Sequence, residues 1–411
     1  MTAIAERIPV IDTDSHVSEP PDLWRDRLPK KWADVMPRVE LDEDRGMEYW
    51  LVGDRRVSPA WSFSVAGYHE FMPAHPKVQG DVDPAMYDPV ARAKKLDEFG
   101  IAMQVLYPNI LGFFLQTLLE VPDQSFHLAC VQAYNDFLAD WGAAAPGRFI
   151  PIMALPFWDV EASVKEMHRC MELGHRGILF ANAPERAGLP RMRDAHWDPI
   201  YATAQDMGIP VNFHVGFGVI APPRERSGRG SALLPDDTDE RQHGDARADF
   251  VKFTTLGLMS NSNAIVDLCL SGLLDRFPTL NFVSVESGFG YVPYLLETMD
   301  WQWLNTGAAR SYPERMMPSE YFRRQVYATF WFEKHALRAL VGDLQDNVMF
   351  ESDFPHPTCL APGPASYTDS AGKVIEQNLS DLPEPLLRKL LYENAARIYG
   401  VQASPVAAAT P

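Results

Sequence analysis

The stretch Asp12-Thr-Asp14-Ser-His16 closes a short apolar run, Ile8-Pro-Val-Ile11. Alternate side chains of a strand point to one face, so Asp14 and His16 can hold one metal ion together, with Asp12 on the same face. Two distant apolar runs end in the same way, Val211-Asn-Phe-His214 and Val348-Met-Phe-Glu-Ser-Asp353. Neutral imidazole and carboxylate both ligate zinc, manganese or iron, and a shell of two histidines and two carboxylates leaves a position for water or substrate. Taken singly, each of these residues is equally well read as a buried polar group satisfied by hydrogen bonds. Together they are harder to explain without a cation, because burying several uncompensated titratable groups costs on the order of several kcal/mol. The pattern predicts a metal enzyme.

These residues must be carried on elements that converge. Strand signals fall at 8–12, 103–107, 149–155, 177–180, 210–214, 280–286, 325–330 and 348–353, each a short apolar run. Helical patterns lie between them, at 89–99, 124–143, 160–173, 199–207, 250–277, 291–304 and 335–344, and two more follow at 371–379 and 384–399. Eight strand–helix repeats imply an α/β protein, a (β/α)8 TIM barrel, with the catalytic groups at the carboxyl-terminal rim. Asp14, His16, His214 and Asp353 all meet that condition. Residues 20–88 interrupt the alternation and carry Trp24, Trp32, Trp50, Trp61, Phe63, Tyr68, Phe71 and Tyr87, with hairpin character at 49–57. They are expected to form an aromatic-rich cap inserted after the first strand. Residues 216–247 follow directly on His214 and read as an active-site loop that includes His243. The expected organisation is one barrel domain over 1–400 and a disordered tail over 401–411.

The 411 residues, 46% hydrophobic, suffice for one large barrel with insertions. A net charge of -18 without a basic stripe argues against nucleic acid and against anionic membrane surfaces, leaving a small molecule as the partner. Cys130, Cys170, Cys269 and Cys359 have no C-x-x-C spacing, which predicts free thiols in a reducing cytoplasm rather than disulfides or a thiolate zinc site. The N-terminal residues lack the apolar core of a secretion signal, so a cytoplasmic location is expected. Gly288-Phe-Gly290 is too short for a phosphate-binding fingerprint and lacks the βαβ context.

The ensemble Ile11-Asp-Thr-Asp-Ser-His16, Arg92-Ala-Lys-Lys-Leu-Asp-Glu-Phe-Gly100, Phe149-Ile-Pro-Ile-Met-Ala-Leu-Pro156, Phe213-His-Val-Gly216, Glu286-Ser-Gly-Phe-Gly290, Glu351-Ser-Asp-Phe-Pro-His356 and Glu393-Asn-Ala-Ala-Arg397 runs through nearly the whole chain. It resembles the amidohydrolase superfamily, in particular the amidohydrolase 2 branch with aminocarboxymuconate semialdehyde decarboxylase and the resorcylate decarboxylases. The resemblance implies a hydrolase or lyase acting on a small carboxylated or aromatic substrate. Asp14 and His16 then occupy a first-strand metal pair that is usually His-x-His or Glu-x-His, His214 the fifth-strand ligand and Asp353 the eighth. It also implies a mononuclear divalent centre, zinc in the first instance with manganese or iron as alternatives, where Asp353 takes a proton from metal-bound water or anchors substrate.

One position departs from the family pattern. Decarboxylating relatives end the sixth strand in His-Gly, whereas this chain has Glu286-Ser-Gly288. A carboxylate cannot donate a proton at neutral pH unless its pKa is raised, which argues against the usual decarboxylation route. Glu286 is a candidate general base, or a ligand, with Glu19, for a second metal ion. That alternative is a dinuclear iron or iron–manganese oxygen-dependent hydroxylase on the same barrel. A second alternative is an inactive structural partner of a related active chain. His356, three residues after Asp353, is a candidate catalytic group that orients Asp353 or contacts substrate. A homo-oligomer is expected, or a hetero-oligomer with a related chain, with Trp301, Trp303, Phe330 and Phe332 as candidate contact residues.

Overall fold

The computed structural model describes residues 3–406 except 114 and 218–239; the side chains of 116, 187, 240–246 and 340 also lie outside the description. Eleven strands are present among these residues: β1 (Ile11–His16), β2 (Arg38–Asp42), β3 (Met47–Val52), β4 (Arg55–Pro59), β5 (Met103–Tyr107), β6 (Phe149–Pro151), β7 (Ile178–Ala181), β8 (Val211–His214), β9 (Phe282–Val285), β10 (Val326–Phe330) and β11 (Val348–Phe350). Eight of them pair in parallel, as β1-β5-β6 and β11-β10-β9-β8-β7. The two parallel sheets meet at both edges. At one seam Ser15 bridges Phe354, Asp353 N–H donates to Asp14 O (3.0 Å) and His16 N–H to Phe354 O (2.7 Å). At the other, Met153 bridges Ile178, with Leu179 N–H donating to Met153 O (2.9 Å).

Every residue of these eight strands is buried. That explains their continuous apolar runs, since helices cover the outside of a parallel sheet and side chains fill its inside. Helix starts follow from short acidic caps: Asp88 accepts from Ala91 N–H ahead of Pro89–Phe99, Asp123 from Ser125 and Phe126 N–H ahead of Gln124–Ala143, and Asp159 from Ala162 N–H ahead of Val160–Glu172. The expected helix over 250–277 is instead Glu240–Leu258, Ser262–Leu270 and Leu273–Arg276, broken at the Ser260-Asn-Ser-Asn263 run and at Gly272, whose φ is 81°. Serine and asparagine compete for backbone hydrogen bonds, and such a left-handed residue ends a helix.

Residues 20–88 hold the antiparallel sheet β2-β3-β4, with the turn of its second hairpin inside the segment expected to be hairpin-like. Trp24, Trp50 and Trp61 are buried there. The segment is tied to the rim by Ser18 Oγ against Ser64 Oγ (2.6 Å), and by Val65 and Ala66 N–H donating to Pro355 O. Most of the expected loop 216–247 lies outside the described residues, as does the side chain of His243. In the C-terminal segment, Val401 N–H donates to Ala396 O, and Val401 and Ala403 pack on the core. Residues 407–411 lie outside the description. No described helix is long and apolar enough to cross a membrane.

Candidate metal centre

Three strand ends deliver the cluster. Asp14 and His16 come from β1, His214 is the last residue of β8, and Asp353 follows β11 by three residues. Glu286 follows β9 by one. His16 Nε2 and His214 Nε2 face each other at 3.1 Å, and both lie 3.5 Å from Asp14 Oδ1. Asp353 Oδ1 is 4.0 Å from His16 Nε2, and Glu286 Oε2 is 3.6 Å from His214 Nε2. The four strand-end residues expose at most 2% of their surface.

The ring hydrogens assign themselves. His214 Nδ1 lies 2.7 Å from Val215 O, and His16 Nδ1 lies 3.3 Å from Pro108 O. A carbonyl only accepts, so both neutral rings carry their proton on Nδ1 and turn bare Nε2 lone pairs toward each other. Two such lone pairs 3.1 Å apart repel unless a cation sits between them; nitrogens bound at about 2.1 Å to one ion are separated by roughly that distance. Asp14 Oδ1 and Oδ2 and Asp353 Oδ1 are buried without a hydrogen-bond partner, which fits these oxygens to ligate a cation. Three overlapping triads have atoms close enough for one ion: Asp14/His16/His214, His16/Asp353/His356 and Asp14/Glu286/Asp353. The donor set fits a divalent ion of the zinc or manganese kind.

The electrostatics agree. Burial, then the neighbouring Asp353 and Asp12 carboxylates, push the Asp14 carboxyl well above its ordinary range. Burial, then Asp353, Asp14 and Glu351, do the same to Glu286. Burial, then His356 and His214, hold His16 well below the ordinary imidazole value, and burial lowers His214. The pocket therefore favours neutral rings, which are the metal-binding form, and carries more carboxylates than it can charge without a cation.

Glu286 (φ 52°) and Asp353 (φ 57°) are the only non-glycine residues with positive φ among those described. Such a conformation costs about 1–3 kcal/mol each and persists where surrounding structure imposes it. Glu351 Oε2 accepts from Glu286 N–H (3.1 Å), and Asp353 is pinned by Asp14 O and by Thr358 Oγ1, which donates to Asp353 Oδ2 (2.6 Å). Both bends aim a carboxylate at the cluster.

A family model described as Amidohydrolase matches residues 11–401. The chain belongs to the amidohydrolase family. It is 26% identical over 273 residues to gamma-resorcylate decarboxylase from a Polaromonas strain, covering 64% of this chain and 76% of that protein. It is 24% identical over 386 residues to 2-amino-3-carboxymuconate-6-semialdehyde decarboxylase from Dictyostelium discoideum, covering 92% and 91%. Among solved structures, an amidohydrolase from Mycobacterium avium subsp. paratuberculosis superposes with a TM-score of 0.71 at 22% identity, over 96% of this chain and 99% of that one. A dihydroxybenzoic acid decarboxylase from Polaromonas, solved with manganese and the inhibitor 2-nitroresorcinol, gives 0.57 at 19% identity, over 96% and 97%.

Asp14, His16, His214, Asp353, Glu286 and His356 are brought together, the last through His356 Nδ1 at 3.0 Å from Asp353 Oδ1 and a ring stacked on His16 at 3.8 Å. Asp12 is not. The pairing of β1 slips between Asp12 and Ser15, and the Asp12 carboxylate instead accepts from Gln104 Nε2 (2.7 Å), Ser352 N–H (2.7 Å) and the Ser352 hydroxyl. Glu19, the expected ligand of a second ion, belongs to none of the metal-holding groups. Its Oε1 accepts from Asn109 N–H (2.8 Å) and Ile110 N–H (2.9 Å), capping the turn at Ile110–Phe113.

Three supporting residues escaped the sequence reading. Arg92 is fully buried and donates to His16 O (2.8 Å), Gln104 Oε1 (3.1 Å) and Ala85 O (2.5 Å), fixing the backbone of a ligand. Glu351 holds the Glu286 backbone; its place two residues before Asp353, hence on one strand face, was the signal available. Glu333 accepts from Phe289 N–H (2.6 Å) and Gly290 N–H (2.9 Å). That contact accounts for Gly288, where φ is 69° and a Cβ would stand 3.0 Å from Glu333 Oε1.

Proposed function

We propose that this chain is a divalent-metal-dependent lyase that decarboxylates a small carboxylated aromatic acid, on a closed (β/α)8 barrel whose mouth is capped by residues 20–88. The observation that carries the reading is the pair of bare imidazole nitrogens facing each other 3.1 Å apart beside partnerless carboxylate oxygens. The curated relatives, decarboxylases of carboxylated substrates, support decarboxylation rather than hydrolysis. They lend no support to oxygen-dependent hydroxylation or to a catalytically silent role. Asp14, His16, His214 and Asp353 would hold the ion, and the manganese-bearing relative makes manganese the first metal to test, ahead of zinc. When bound, the ion supplies a positive charge that orients an anionic substrate and steadies charge developing on its oxygens.

The remaining work falls to side chains. Replacing an aryl carboxyl by hydrogen requires a proton at the ring carbon and loss of the carboxyl carbon as CO2. Glu286, half-buried and crowded by carboxylates that favour its protonated form, is the proton donor in this reading, so the glutamate that replaces a histidine remains compatible with the family's chemistry. Phe63 and Phe113, stacked at 5.3 Å, with Phe113 5.9 Å from the His16 ring, supply an apolar wall that excludes water and accepts an aromatic ring. Asn109 Oδ1 accepts from His356 Nε2 (2.8 Å), which turns His356 Nδ1 toward Asp353. Self-association belongs to the same proposal: Trp301 (67%) and Phe332 (54%) are exposed, whereas Trp303 and Phe330 are explained by core burial.

The test is CO2 release from hydroxybenzoates and aminobenzoates by manganese-loaded protein in deuterated water. The reading expects CO2 and one deuterium at the vacated ring carbon. Hydrolysis of amides or lactones without CO2 release would refute it.

A further inference from the structure

Beside the metal cluster, between the inserted segment and the rim, lies a narrow cleft of about 10 Å3, room for one water-sized group, lined by Glu19, Trp50, Ser58, Phe63, Ser64 and Asn109 among others. It adjoins the centre through two residues. Asn109 binds His356, and the Phe63 ring lies 5.3 Å from the His356 ring. No lysine, arginine or histidine lines it. Glu19 is only 3% exposed; Asn109 and Ile110 N–H donate to its Oε1, its own N–H and the Asn109 side chain also hydrogen-bond its carboxylate, and no counter-ion lines the wall. Burial pushes its carboxyl up to about 7, outweighing these hydrogen bonds, each of which lowers it. Capping the Ile110 turn needs only one oxygen, and a serine or asparagine would supply it without burying a charge.

We propose that this cavity is a substrate subsite in which Glu19 accepts a hydrogen bond from a hydroxyl or amino substituent on the aromatic acid. The inference deepens the decarboxylase reading and rests on it. The carboxyl end of the ring faces the metal cluster, the ring lies against Phe63, and the donor group reaches Glu19. A site built around a buried acceptor selects strongly against rings that leave it unpaired.

The test is calorimetric binding of benzoate, the three hydroxybenzoates, the three aminobenzoates and their methoxy counterparts to manganese-loaded protein. At one ring position or more, the wild type should prefer the hydroxyl or amino ring over its methoxy counterpart by roughly 10- to 100-fold. Glu19→Gln keeps an oxygen for Asn109 and Ile110 N–H but presents an NH2 where the second oxygen stood, so that preference should reverse toward the methoxy ring. Ser58→Leu, which fills the cavity and spares the bonds to Glu19, should weaken the substituted rings more than benzoate. Binding of the panel with the same preference in Glu19→Gln, or equal losses across the panel in Ser58→Leu, would overturn the subsite and leave the decarboxylase reading standing. Failure of every benzoate to bind would overturn both.

Discussion

Replacing Glu19 by glutamine should make the protein's stability less sensitive to rising pH. Burial raises the Glu19 carboxyl from 4.5 to about 7, outweighing the Asn109 and Ile110 N–H donors that favour the charged form. A group that binds its proton more tightly in the folded state adds stability below the unfolded pKa, and loses it as pH rises through the folded pKa. For Glu19 that window runs from about 4.5 to about 7. Each pKa unit is worth about 1.4 kcal/mol, so between pH 5 and pH 8 the wild type should lose roughly 2–3 kcal/mol that the glutamine variant does not. Other buried carboxylates titrate in both proteins and cancel in the difference. The assay is urea unfolding of metal-free wild type and Glu19→Gln at several pH values, read as the gap between the two curves. A gap that stays constant, or moves toward the wild type with rising pH, would mean that Glu19 is already ionised at pH 5 and that its N–H donors outweigh burial.

Other substitutions probe the centre itself. His214→Ala should weaken manganese binding by about 100-fold or more, measured by calorimetry, because it removes one of two neutral nitrogen ligands. Glu286→Gln should lower kcat by roughly 10²- to 10⁴-fold while metal content stays at the wild-type level, since it removes the proton donor and not a principal ligand. Arg92→Met, which strands His16 O, Gln104 Oε1 and Ala85 O, should cost about 3–5 kcal/mol in urea unfolding; a loss under about 1 kcal/mol would show that these acceptors find other donors.

What the sequence disclosed, and what it hid, follows from range. Asp14 and His16 were legible because a strand repeats every two residues, and His214 and Asp353 because each closes an apolar run. The same period misled for Asp12: a slip in pairing between Asp12 and Ser15 turned it toward Ser352, and no local pattern announces such a slip. Glu19 looked available as a ligand because it stands three residues after His16, yet its partners, Asn109 and Ile110, come from the far end of β5. Arg92 sits on an unremarkable helix, and only tertiary packing buries it against the β1 backbone. The strained bends at Glu286 and Asp353 were equally hidden, since their φ values are imposed by Glu351, Asp14 and Thr358 from elsewhere in the chain.

Anomalous diffraction at the manganese edge, from crystals of manganese-loaded protein, locates the ion itself. A peak is expected within ligand distance of His16 Nε2, His214 Nε2, and carboxylate oxygens of Asp14 and Asp353. A map with no peak between the two imidazoles, or with manganese held only elsewhere, would contradict the proposed centre.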